Sequence, residues 1–401
     1  MKELSLGRTV VKNIALLTSC QALNTVVVQF FVVFAPAAIL LLGGSAALAG
    51  LGSAFIWGGR LISTYQLGAL MDRLGRRPVI AGGMALAAAA SLVAALSVSS
   101  RALPLFLLTL LLYGVGRGMV EFSRVAVADM LPANRRGLGT GIILTGSIAG
   151  TLATPLLVSY ITQQPNSTQS SNVVTSLYNA AFISLLGLML SLLVWPDPLK
   201  MAGQSNNPIR GRRDVLRRLR EPGILTAAAS MAASTGVMVA VMSLNTVLMY
   251  SHQHSATDIS TVVMIHVIGM YAFSIPLGRL SDKVGRPAVM LAGMVVTLAG
   301  VLLLPLSSDM TVVTVALFLV GLGWSAAWVA SSAYIADLTV VEERGGVTGV
   351  ADAVAAGSSI IMPILGGLAL EAGGAGLLAA TAVAASLPSI AACIRVLRFK
   401  P

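Results

Sequence analysis

Long, unbroken apolar runs recur along the chain and constrain its fold more than any other feature. Each run is about 20 residues long, enough to cross a lipid bilayer as a helix. The strands of a β-barrel would alternate apolar and polar residues instead. Only 10% of the 401 residues are charged, whereas a soluble domain carries about a quarter. The sequence therefore predicts an all-α polytopic membrane protein.

The apolar runs fit twelve membrane spans in two sets of six. The predicted spans cover about 13–37, 45–67, 78–98, 103–128, 137–162, 172–194, 223–250, 257–277, 287–306, 310–335, 345–369 and 373–394. A polar segment rich in Pro, Asn, Gly and Arg divides the two sets. We therefore expect an N-terminal six-helix bundle over 1–194, a cytoplasmic linker over 195–222 and a C-terminal six-helix bundle over 223–401.

The positions of the basic residues predict the orientation of the chain. Of the 26 Lys and Arg residues, 22 fall at the termini or in every second loop. Cytoplasmic loops carry such an excess of positive charge. We therefore expect a multi-pass protein of the cell (inner) membrane with both termini in the cytoplasm and a first span that is not removed as a signal peptide. The net charge of +11 then reflects topology, and no nucleic-acid partner is expected.

Two motifs occur once in each set of spans. Residues 68–76 read G-x-L-x-D-R-x-G-R, and residues 278–286 read G-x-L-x-D-K-x-G-R. Asp129 and Asp337 each stand seven residues before the sequence Arg-Gly-x-x-Thr-Gly. Internal repeats on either side of a linker are typical of secondary transporters, whose substrate sites lie near the midplane between the repeats.

With these motifs the whole chain resembles the major facilitator superfamily. The resemblance implies twelve helices in two pseudosymmetric six-helix bundles that rock about a central site. It also implies that the loop motifs form a cytoplasmic gate, in which Asp72 faces the start of the eleventh span and Arg76 pairs with Asp129. Both contacts are physically sound, because carboxylates stabilise helix N-termini and pair bidentately with arginine. The implied gate residues are Gly68, Asp72, Arg76, Asp129, Gly278, Asp282, Arg286 and Asp337.

Five charged residues lie within those predicted spans that, by the resemblance, line the central cavity, namely Arg60, Arg117, Glu121, Arg124 and Asp352. A charge in the bilayer costs about 2.5–3.5 kcal/mol on insertion scales, so such groups face a cavity or a partner. Spacings of four and three residues place Arg117, Glu121 and Arg124 on one helix face. One interpretation is a substrate cavity. The other is a salt-bridge network that only holds helices together, with Arg124 as its first candidate.

The charges of these residues predict an anion as the substrate. Three arginines and two acids sum to +1 when both acids are ionised and to +3 when both are protonated. We therefore predict proton-coupled transport of a small organic anion, with Arg60 and Arg117 as the anion clamp. Glu121 or Asp352 would take up the proton. The alternative is a proton-coupled multidrug or small-molecule efflux transporter. A non-transporting membrane sensor would need a larger soluble domain.

Four uncharged or neutral residues are further candidates for substrate binding, namely Asn24, His266, Trp324 and Trp328. Imidazole titrates near neutral pH, and the two tryptophans lie four residues apart on one helix face. For each residue, helix packing is the alternative. Zinc, Walker and nucleotide-binding patterns do not occur in the sequence, so we expect no enzyme, metal or cofactor. The expected partners are a small-molecule substrate, protons or another ion, and the lipid bilayer, with the chain as a monomer.

Overall fold

The computed structural model describes residues 7–44, 52–164, 168–202, 217–251, 256–307 and 309–398, and every regular element within them is a helix. We call α1–α7 the first half and α9–α14 the second half. The first half consists of α1 (Arg8–Leu41), α2 (Gly52–Leu74), α3 (Arg76–Ser99), α4 (Leu103–Glu121), α5 (Ser123–Met130), α6 (Arg136–Thr162) and α7 (Gln169–Leu192). A short linker helix, α8 (Pro198–Met201), precedes α9 (Pro222–Ser251), α10 (Ala256–Tyr271), α11 (Ser274–Val284), α12 (Arg286–Leu303), α13 (Met310–Leu338) and α14 (Val341–Arg398).

The helices confirm the predicted all-helical membrane fold. Ten helical segments of the described chain are long and apolar enough to cross a membrane, with α4 and α5 joined into one and the last turns of α10 joined to α11. In addition, α2 has 23 residues, and the 58-residue α14 leaves helical geometry at Gly373 and Gly374. These features are compatible with twelve spans, although the exact count stays a prediction.

Apolar side chains fill the interior and also cover the surface. The largest buried cluster lies almost wholly within residues 224–393, and two others lie within residues 10–201. Large apolar residues such as Leu156 and Leu368 are exposed. Because lipid tails solvate apolar groups, a surface of this kind fits a protein whose surroundings are a bilayer.

The repeated loop motif folds in the same way in both halves. Its second glycine, Gly75 or Gly285, has a backbone φ of 104° or 105°, in the left-handed region that glycine adopts without strain. The next helix, α3 or α12, begins at the following residue. The motif thus joins two helices through a tight turn that requires glycine.

Side chains at the described ends of the linker form polar contacts with neighbouring helices. The Asp197 carboxylate accepts a hydrogen bond from the backbone amide of Arg76 at 3.1 Å, where α3 begins. At the other end, Arg218 is ion-paired with Glu343 near the start of α14, at 2.9 Å. The middle of the predicted linker, residues 203–216, lies outside the described residues. Both linker ends therefore contact the loops that carry the repeated motifs.

Candidate functional site

A cavity lies between the two halves. About 580 Å³ of space lies among its lining side chains, part of it continuous with solvent. The lining residues from the first half are Gln21, Trp57, Arg60, Arg117, Glu121, Arg124, Ile143 and Leu144. Those from the second half are Thr235, Met238, Met270, Tyr271, Trp324 and Trp328. Both halves therefore supply the walls, so a bound solute would contact each of them.

The five predicted intramembrane charges form one continuous ion-pair network beside the cavity. Arg117 Nε lies 2.9 Å from Glu121 Oε1, and Glu121 Oε2 lies 2.7 Å from a terminal nitrogen of Arg60. The same Arg60 nitrogen is 3.7 Å from Asp352, which also pairs with Arg124. Positive and negative groups alternate through the network, so each buried charge has a partner of opposite sign.

The members of this network differ in their contact with the cavity. The side chains of Arg117 and Glu121 are 19% and 15% exposed, whereas those of the other three are at most 4% exposed. Asp352 does not line the cavity and lies behind the arginines of the first half. Of the five charges, those of the Arg117–Glu121 pair are therefore the most exposed.

The predicted binding residues divide into two groups in the structure. Arg60, Arg117, Trp324 and Trp328 line the cavity, whereas Asn24 and His266 do not. His266 Nδ1 instead lies 2.7 Å from the carbonyl oxygen of Leu317, in the contact between α10 and α13. Asn24 is buried within the first half. The position of these two residues in the helix packing gives no support to the prediction that they contact substrate.

Sequence reasoning missed part of the aromatic lining. Trp57 stands three residues before Arg60, so both lie on the same face of α2. That spacing is a signal that could have identified it. Tyr271, at the end of α10, has no comparable signal in the sequence, because an aromatic residue near the end of a span also fits an interfacial position.

The two loop motifs lie together at one end of the molecule, which we call the motif end. We call the contacts made by the motif at residues 68–76 the first clamp and those made by the motif at residues 278–286 the second clamp. In the first clamp, the Asp72 carboxylate accepts hydrogen bonds from the backbone amides of Gly345 and Gly346 at 2.9 and 2.7 Å. These amides lie near the N-terminal end of α14, at its fifth and sixth residues. Arg76 Nε lies 2.6 Å from Asp129. The structure thus contains the contacts that the resemblance implied for this motif.

The second clamp repeats the arrangement with the halves exchanged. Asp282 accepts hydrogen bonds from the backbone amides of Gly137 and Leu138 at 3.0 and 2.9 Å, at the start of α6. Arg286 Nε lies 2.9 Å from Asp337. The clamps therefore connect α2 to α14 and α11 to α6, each across the two halves. Their role as a gate stays a prediction.

A second arginine joins each clamp from the opposite half. Arg344 pairs with Asp129, and Arg136 Nη1 lies 3.0 Å from Asp337. These arginines belong to the repeated Arg-Gly-x-x-Thr-Gly motif, for which the sequence predicted no role. Their repetition at the same distance from an aspartate was the available signal. Each aspartate therefore holds two arginines, one from each half.

The first glycine of each motif permits the halves to approach closely. A methyl group on Gly68 would collide with the backbone of Gly345, and one on Gly278 would collide with the backbone of Gly137. Small residues allow helix backbones to come this near to each other. The Gly68 and Gly278 positions therefore favour the closed arrangement of the motif end.

The proteins that resemble the chain in sequence include two bacterial transporters. It is 28% identical over 334 residues to the uncharacterized MFS-type transporter YdeG of Bacillus subtilis, covering 81% of this chain and 78% of the relative. It is 23% identical over 372 residues to the riboflavin transporter RfnT of Brucella anthropi, covering 90% of each.

Two solved structures share the fold. FucP in its outward conformation superposes with a TM-score of 0.81 at 17% identity, covering 98% of this chain and 100% of that one. The human organic anion transporter MFSD10 gives a TM-score of 0.78 at 17% identity, covering 97% and 100%. The sequence model of the Major Facilitator Superfamily matches residues 17–251 and 225–401. Because these matches span nearly the whole chain, it belongs to the Major Facilitator Superfamily.

Proposed function

We propose that the chain is a secondary active transporter that carries a small organic anion across the cell membrane together with protons. The observation that carries this proposal is the Arg117–Glu121 ion pair on the surface of the cavity, with Arg60 behind it. Three arginines face two carboxylates in the network, so one positive charge is left over. Such a site favours an anion.

Protonation of Glu121 would couple the proton to the anion. The ionised Glu121 carboxylate holds both Arg117 and Arg60. When it takes up a proton, both guanidinium groups lose a negative partner, and an anion can replace it. The five-residue network then carries two net positive charges instead of one. Proton and anion would therefore enter the site together.

The clamps at the motif end would act as the gate of alternating access. In the proposed orientation, with both termini in the cytoplasm, the motif end is cytoplasmic and is closed in this conformation. Opening it requires Asp72 to leave Gly345 and Gly346, and Asp282 to leave Gly137 and Leu138. The names of two relatives, a riboflavin transporter and an organic anion transporter, support small organic solutes as cargo, while the sign of the charge rests on the arginines.

A thermal-shift screen of the purified protein tests the proposal. Organic anions, cationic drugs and neutral solutes are compared at an acidic and a neutral pH. A ligand present at about 100 times its Kd raises the free energy of unfolding by about 2.7 kcal/mol. We expect stabilisation by anions, and more of it at acidic pH. Stabilisation by cationic drugs alone would favour the efflux alternative and contradict the anion proposal.

A further inference from the structure

Large aromatic rings are concentrated in the cavity, and the proposed charge mechanism does not use them. The chain has only four tryptophans and is 5% aromatic overall. Three of the four, Trp57, Trp324 and Trp328, line the cavity together with Tyr271. The fourth, Trp195, is exposed in the linker. This distribution places aromatic rings in the walls of the cavity.

The rings from the second half have fixed orientations. Trp324 and Trp328 stack with their centroids 5.5 Å apart and their planes 23° apart. Tyr271 packs edge-on against Trp324, with centroids 6.1 Å apart. The indole Nε1 of Trp324 donates a hydrogen bond to Thr235 Oγ1 at 3.1 Å. Because neighbouring groups already hold these rings, they lose little freedom when a ligand packs against them.

The cationic groups of the site lie close to ring faces. Arg117 Cζ is 5.1 Å from the centroid of Trp57, and Arg60 Cζ is 5.2 Å from the same centroid. Arg60 Cζ is also 6.0 Å from the centroid of Trp328, which lies on the facing wall. A flat ring that bears an acidic group satisfies both features, since the acid accepts from arginine while the ring stacks on indole.

We propose that the cavity binds planar aromatic carboxylates in preference to aliphatic carboxylates of the same charge. This proposal rests on the proposed anion transport and names its substrate class. The thioethers of Met238 and Met270 in the lining support it, because polarisable sulfur packs favourably against aromatic rings. An aliphatic anion pairs with Arg117 equally well but forgoes the ring contacts.

Three probes of similar size test the preference by titration calorimetry on the purified full-length protein. They are naphthoate, its saturated counterpart decahydronaphthoate, and the neutral naphthamide. We expect naphthoate to bind about tenfold more tightly than decahydronaphthoate, since stacking on one or two rings supplies that difference. Naphthamide, which lacks the charge, should bind more weakly than naphthoate.

Variants of the tryptophans locate the preference in the cavity. Trp324→Leu should remove most of the difference between naphthoate and decahydronaphthoate, and Trp324→Phe should keep part of it. Trp57→Leu, on the opposite wall, carries the same test if Trp324→Leu does not fold. Trp195→Leu is the matched control, because its ring lies outside the cavity, and it should keep the full difference.

The other possible outcomes contradict the aromatic preference, the proposed anion transport or both. Equal affinity for naphthoate and decahydronaphthoate overturns the aromatic preference and leaves anion transport standing. Naphthamide that binds as tightly as naphthoate overturns the proposed anion transport and with it the preference for carboxylates, because the site then does not recognise the charge. Binding of neither anion overturns both this inference and the proposed function.

Discussion

At the scale of single residues, one carboxylate joins the two halves at the centre of the molecule. Asp352, on α14, pairs with Arg124 and lies 3.7 Å from Arg60, both of which belong to the first half. Its side chain is 1% exposed, so these arginines and not water compensate its charge. The halves cannot separate here while these pairs persist. In the proposed cycle, a proton on Asp352 would therefore favour separation.

Glu121→Gln is expected to separate proton coupling from substrate movement. Glutamine keeps the size of the side chain and cannot ionise. The variant should therefore move the anion without a proton and lose the accumulation that a pH gradient drives. Counterflow exchange of labelled anion in proteoliposomes should persist. Proton-driven accumulation that survives in this variant would exclude Glu121 as the coupling group.

Glu221→Gln is the matched control for this variant. Glu221 pairs with Arg218 at 2.7 Å in the described part of the linker, and its side chain is 43% exposed. An exposed ion pair of this kind contributes about 0–1 kcal/mol to stability. Accumulation and exchange should both remain as in the unchanged protein.

The charged part of the cavity was predictable from sequence, and the rest of its lining was only partly so. Arg60, Arg117 and Glu121 stood out because ionisable groups are costly in a bilayer. Trp57 did not stand out by itself, since an apolar ring in a span can face lipid, the core or a cavity, and only its spacing from Arg60 points to the cavity. His266 also needed the structure, because a polar group in a span is satisfied equally well by a neighbouring carbonyl as by a substrate.

At the scale of helices, hydropathy located the spans and missed where helices continue or break. The first span was predicted over 13–37, whereas α1 runs from Arg8 to Leu41. The fourth was predicted as one segment, and the structure breaks it at Phe122 between α4 and α5. Hydropathy reports the apolar stretch alone, while helix ends and breaks depend on contacts with neighbouring helices.

Gly68→Ala is expected to shift the motif end toward an open arrangement. The added methyl group collides with the backbone of α14, and overpacking costs about 1–3 kcal/mol. Such a cost changes a two-state equilibrium roughly 5- to 150-fold. We expect faster alkylation of a cysteine introduced at Thr348, which is buried at the motif end.

Gly58→Ala is the matched control, because a methyl group there meets no atom within 4 Å. Alkylation of the Thr348→Cys background should be unchanged by it. Equal alkylation rates for Gly68→Ala and Gly58→Ala would show that close approach at Gly68 does not hold the motif end closed.

At the scale of the whole molecule, the two clamps have the same arrangement of contacts. In each, an aspartate binds backbone amides near the N-terminal end of a helix from the other half, and a second aspartate pairs with one arginine from each half. The internal sequence repeat predicted this symmetry, since equal motifs at equal spacings fold alike. The contact partners across the halves were harder to predict, because the sequence does not show which helices pack against each other.

A cross-link between Arg136→Cys and Asp337→Cys is expected to stop transport. The two native side chains contact each other across the halves at 3.0 Å. A short bifunctional reagent that forms a disulfide with each introduced cysteine would then prevent the separation that alternating access requires. A reductant should restore activity. Each single-cysteine variant controls for modification alone and for the buried Cys20 and Cys393. Full transport by the bridged protein would contradict opening at this position.

The two clamps have the same arrangement of contacts but differ in solvent exposure. The side chain of Asp129 is 0% exposed, and that of Asp337 is 23% exposed. Salt weakens ion pairs that are partly exposed to solvent and affects buried pairs far less. In saline surroundings the second clamp is therefore weakened while the first keeps its strength. In the proposed opening of the motif end, the contact between α6 and α11 would then separate before the contact between α2 and α14.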